Sequence, residues 1–88
     1  MKYTKYFGLI IKEQGQINLP PDQFQRMMNI VHLEGVILGL NKAKETFKDT
    51  NLYYKYDIII LDNATKLSAL TGNISPNLLL KKMMLFLD

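Results

Sequence analysis

The sequence predicts an α+β fold: a small two- to three-stranded sheet packed on a long central helix, with a C-terminal helical pair. Three observations predict it. Residues 3–12 alternate in polarity, with Tyr3, Lys5, Phe7, Leu9 and Ile11 on one face, as a half-buried strand does. Residues 52–61, LYYKYDIIIL, also begin alternating and end in a continuous run of β-branched and apolar side chains. Between them, Pro20-Pro21-Asp22 opens a long stretch in which apolar residues recur at helical spacing.

The elements follow in order. After the first strand, Glu13-Gln14-Gly15-Gln16 reads as a turn, and Gln16–Leu19 as a short strand pairing back in a hairpin. Proline is tolerated in the first helical turn and Asp22 complements its positive end, so a helix starts there. Its apolar residues lie on two faces. One holds Phe24, Met27, Met28, Val31 and Leu38; the other holds Ile30, Leu33, Ile37, Leu40 and Phe47. A helix apolar on both faces is buried between two layers, or between the domain and a second copy. Run through Lys48 it would span about 40 Å, long for this chain, so Gly35 and Asn41 are candidate breaks. Asp62-Asn63 closes the second long strand. A short helix over 64–70 follows, then a turn at Thr71-Gly72-Asn73. Ser75 and Pro76 open a last helix over 76–87, polar only at Asn77, Lys81 and Lys82.

The 88 residues form a single domain, 1–88. A domain this small hides only about 60–65% of the surface its unfolded chain exposes. Net charge is +3, from ten lysines and one arginine spread along the chain against eight acids. Arginine does most bidentate phosphate and base reading, so this balance does not by itself declare a nucleic-acid binder. Cysteine is absent, which excludes a disulfide framework and thiolate metal ligands and suits a reducing, cytoplasmic setting. No signal-peptide pattern is visible, and no segment reaches the roughly 20 apolar residues that span a bilayer, so no membrane is expected as a partner.

Catalytic and cofactor chemistry finds no foothold. His32 is the only histidine, with no second imidazole to share a metal, and reads as a half-buried helix residue. There is no phosphate-cradling glycine-lysine loop. No serine or threonine stands in a recognisable nucleophile pattern. The expectation is no enzyme, no cofactor and no metal site. Asp57-Ile58-Ile59-Ile60-Leu61-Asp62 resembles the phosphoacceptor strand of receiver domains. The acidic pair that such a domain carries after its first strand is replaced here by Gly8-Leu9-Ile10-Ile11-Lys12. Asp62 therefore reads as a strand terminator.

Two segments resemble DNA-binding families. Gly15-Gln16-Ile17-Asn18-Leu19-Pro20 resembles the strand–proline junction of swapped-hairpin, AbrB-like regulators, whose short helix carries an arginine; Arg26 stands a residue or two too far on. Residues 66–75 and the helix after them resemble the helix-turn-helix of small phage excisionases, which would turn Ser75, Asn77, Lys81 and Lys82 toward a major groove. The apolar residues 78–80 and 83–87 leave that helix only a thin polar stripe. Tyr53-Tyr54-Lys55-Tyr56 interleaves aromatics with a cation, as single-strand binders do, and equally as sheet surfaces do.

The apolar excess on the helices carries the functional expectation. Gly35 and Gly39 sit one turn apart, each costing about 1 kcal/mol in a helix relative to alanine, which close helix approach would offset. Met83 and Met84 add adaptable contact surface. The expected function is a non-catalytic interaction module that binds a protein partner and self-associates as a homo-oligomer. Its size and composition suit an inhibitor or accessory protein of a phage or mobile element. The expected interface is Gly35, Leu38, Gly39, Leu79, Met83, Met84 and Phe86. The alternative is a DNA-binding transcriptional regulator working through residues 64–85.

Overall fold

The computed structural model describes residues 1–85. Among them there are four helices and no strand: α1 (Lys2–Gln14), α2 (Pro21–Thr46), α3 (Leu52–Thr71) and α4 (Pro76–Leu85). The expected α+β architecture is overturned. The two long segments read as strands are helices, and among the described residues there is no sheet for the central helix to support.

In α1 the alternating set divides. Tyr3 and Phe7 are buried, whereas Lys5, Leu9 and Ile11 face solvent. The buried side is completed by the half-buried Tyr6 and Ile10, so the working spacing is Tyr3, Phe7, Ile10. Gly15 ends the helix at φ 81°, its amide donating to the Ile11 carbonyl at 2.7 Å. The expected turn is thus real but closes a helix. Residues 16–19, expected as a strand, are an irregular connector whose Ile17 and Leu19 pack against the core.

Helix α2 starts where Pro20-Pro21 predicts, with Pro21 in the first helical position. It runs unbroken through Gly35 and Asn41 for 26 residues, about 39 Å. A five-residue turn follows, in which the Thr50 hydroxyl donates to the Phe47 carbonyl (2.8 Å) and accepts from the Leu52 amide (3.2 Å). α3 then returns along α2 and takes in both the expected strand 52–61 and the expected short helix 64–70. The reason lies in the period. Residues 30, 33, 37, 40 and 44 of α2, Phe47 at its end, and 53, 56, 60, 63, 67 and 70 of α3 are all buried or half-buried. Steps alternating three and four are the seam of an antiparallel coiled-coil hairpin. The second apolar face foreseen for the central helix, Ile30 to Phe47, is this seam.

The core sits at the open end of the hairpin. It comprises Tyr3 and Phe7 of α1, Met27 and Ile30 of α2, and Leu79, Leu80 and Met83 of α4. α1 packs on α2 and on α4. Beyond this layer the hairpin projects as two helices alone, which explains the shape: extents of 46 × 26 × 20 Å and a radius of gyration of 15.0 Å, against about 12 Å for a compact chain of this length.

Two side chains lock the layer to the hairpin. Buried Glu34 accepts from the Tyr3 amide (3.1 Å), the Thr4 amide (2.6 Å) and the Thr4 hydroxyl (2.6 Å). A carboxylate from α2 therefore caps the first turn of α1, where free amides and the positive helix end favour an anion. Arg26 donates from Nε to the Leu70 carbonyl at 2.8 Å, placing a cation on the negative end of α3. Gly72 (φ 63°) and Asn73 (φ 58°) then turn the chain into α4, and the Tyr3 hydroxyl donates to the Ile74 carbonyl at 2.6 Å.

Candidate interaction surface

The projecting half of the hairpin has only one buried face per helix. In α3 the seam takes Tyr53, Tyr56, Ile60 and their successors. The apolar residues between them have nowhere to go. Tyr54, Ile58 and Leu61 are 70%, 70% and 68% exposed. Their spacing, four then three residues, puts them on one stripe down the outside of the helix. Leu52 and Ile59 lie beside it, about half covered. Single exposed leucines are ordinary on protein surfaces; a contiguous apolar stripe on a projecting element makes a candidate contact surface.

The tip of the hairpin is held by polar and aromatic contacts. Lys44 occupies a seam position, forms an ion pair with Asp57 and lies 4.4 Å from the centroid of the Tyr53 ring. The hydrogen bonds to Asp57 first, and then to Tyr53, raise its pKa above the ordinary lysine value. Phe47 stacks on Tyr56 with centroids 5.9 Å apart and planes 13° apart. Tyr53 turns its edge to Tyr54 at the same centroid distance.

The structure separates the residues expected to form the partner interface. Leu79 and Met83 are core residues, 0% and 1% exposed, and are not available to a partner. Leu38 and Met84 are exposed, at 42% and 45%. Gly35 and Gly39 face open space, where an added Cβ would meet nothing within 4 Å, so among the described residues no other helix makes a close approach there. Phe86 lies outside the described residues. Leu38 stands on the hairpin, while Met84 stands on α4. The strongest part of the surface, Tyr54, Ile58 and Leu61, was absent from the expected set because those residues were assigned to a strand.

Ser75, Asn77, Lys81 and Lys82 all face solvent on or just before α4. They do not form a compact helix-turn-helix with a short preceding helix: α3 is 20 residues long and packs along α2, and α4 packs on α1. Two helices that pack on each other carry a local excess of positive charge. α1 and α4 carry Lys2, Lys5, Lys12, Lys81 and Lys82, all exposed, against the single acid Glu13. The hairpin over 21–71 balances six cations with six acids.

His32 is exposed, and with Asn29, Leu33, Lys66, Ala69 and Leu70 it lines an open groove of about 400 Å³ between α2 and α3. Among the described residues no three histidine, aspartate or glutamate side chains cluster to hold a metal, and no helix is long and apolar enough to cross a membrane. Comparison with protein-family models, curated proteins and solved structures finds no match for this chain.

Proposed function

We propose that the protein is a non-catalytic interaction module that binds protein through the outer face of its α2–α3 hairpin, self-association included. The observation that carries this reading is the stripe Tyr54, Ile58, Leu61, each about 70% exposed on a hairpin that projects beyond the core. Tyrosine is among the side chains that contribute most to protein interfaces, and covering Ile58 and Leu61 beside Tyr54 removes further apolar surface from water. Held on one rigid helix, they lose little conformational freedom when covered. Affinity purification from the native host, comparing the native chain with Leu61→Glu, tests the reading. A partner recovered with the native chain and lost with the variant is the expected result; identical recovery from both overturns it.

A second reading is favoured by the basic α1/α4 layer. Five exposed lysines against one acid would attract a phosphate backbone, and Ser75 and Asn77 would add hydrogen bonds to it. It predicts duplex retardation at low salt that weakens as salt rises, and weakens further in Lys81→Ala and Lys82→Ala. No retardation of any duplex at low salt removes it.

A further inference from the structure

We infer that the uncovered stripe on α3 is a homodimer seam, in which α3 of one copy packs antiparallel on α3 of a second copy. This rests on the reading that the hairpin's outer face binds protein, and it names the occupant. The stripe continues from Tyr54, Ile58 and Leu61 to exposed Thr65, so its steps are four, three and four residues. That interval lets a second helix of the same spacing mesh with it, knobs into holes. With a two-fold axis across the stripe, Ile58 of each copy meets Leu61 of the other, and Tyr54 meets Thr65 at both ends.

The charges beside the stripe select this arrangement. Lys55 and Asp62 flank it on one side, one heptad apart. In the antiparallel register just described, Lys55 of each copy lies next to Asp62 of the other, giving two symmetry-related ion pairs. Sliding the helices by a heptad in one direction sets Lys55 against Lys55. Sliding in the other sets Asp62 against Asp62. A parallel arrangement brings opposite flanks together and sets Asp57 of each copy beside Asp62 of the other. Like charges at such positions disfavour a pairing, and opposite ones fix its register. On the other flank Asp57 is engaged by Lys44 and meets Ala64, so no repulsion arises there. Asp62 does bridge to Lys66 at 3.2 Å, but both side chains are more than 60% exposed, and such a pair yields readily to a better-placed partner. The arrangement also sends the two basic α1/α4 layers to opposite ends of the dimer, away from each other.

Size-exclusion chromatography with light scattering on the full chain, from about 10 to 300 µM, tests the inference over the affinity range of a small interface. The native chain is expected to pass from monomer to dimer, and Ile58→Glu to stay monomeric with its helical circular dichroism unchanged. Lys55→Asp and Asp62→Lys are each expected to weaken dimerisation about tenfold or more. The double variant regains the native dimer, and an equal mixture of the two single variants forms a heterodimer. A native chain that is monomeric throughout overturns the homodimer, even if a different protein proves to bind the stripe; that outcome leaves the interaction-module reading standing. A dimer that survives Ile58→Glu, or charge variants that fail to rescue one another, overturns the seam. Loss of every partner, homotypic or not, would remove both.

Discussion

Glu34 shows how one side chain fixes the relation between two elements. It is buried in the middle of α2, and its two oxygens take three donors from the first turn of α1. Replacing it by alanine strands two amides and a hydroxyl, and should destabilise the fold by about 3 kcal/mol. Glu34→Gln keeps an acceptor but loses the charge at the helix end, and should cost about 1 kcal/mol. Urea denaturation of the two variants checks the order; equal stabilities would show that the cap is not holding α1. Gly35 and Gly39 act in the opposite sense. Both lie in helical conformation with room for a Cβ, so each change to alanine should stabilise the protein by about 0.5 to 1 kcal/mol. A loss of stability in either would mean that a second backbone comes close there in solution.

The α2–α3 hairpin is the element on which the fold and the proposed function both turn. Its tip depends on Lys44, whose pKa is raised by Asp57 and then by Tyr53. A group with a raised folded pKa contributes its full stabilisation below the ordinary lysine value and loses it as pH climbs through the folded one. The native chain should therefore lose thermal stability in the alkaline range above lysine's ordinary pKa more steeply than Lys44→Met. Melting curves of the two proteins across that range check this, and parallel curves would contradict it.

The same hairpin explains what the sequence hid. Residues 52–61 carry tyrosines and three successive isoleucines, side chains that suit a pleated surface, and their first half alternates. The three–four steps through Tyr53, Tyr56, Ile60, Asn63, Leu67 and Leu70 are present in the same letters, but Asn63 and the polar residues around it obscure them. They become decisive only when set beside Ile30, Leu33, Ile37 and Leu40, which is tertiary information. Residues 3–12 misled for a related reason, since Tyr3 and Phe7 satisfy a period of two and a period near 3.6 alike. Local punctuation was legible: Gly15, Pro20-Pro21, Gly72 and Pro76 each mark a helix boundary where the chemistry of those residues demands one. The excess of apolar side chains over what the core covers was legible too. Its distribution was not, because Leu79 and Met83 became core while Tyr54, Ile58 and Leu61 stayed outside.

At the scale of the molecule, the chain divides its labour by charge and polarity. The α1/α4 layer is basic and supplies most of the core, whereas the hairpin is electrically balanced and carries the uncovered apolar stripe. An elongated body of 46 Å follows from giving two helices more length than the other two can cover. The proposed function requires that the outer stripe of α3 be covered by protein in the working state. Methyl-resolved NMR with a soluble paramagnetic agent reads that directly, methyl by methyl, as concentration is raised. The methyls of Ile58 and Leu61 should be strongly broadened in dilute samples and become protected in concentrated ones, while core Ile30 stays protected throughout. Broadening of Ile58 and Leu61 that is the same at every concentration, and unchanged by any protein the chain is found to bind, would contradict it.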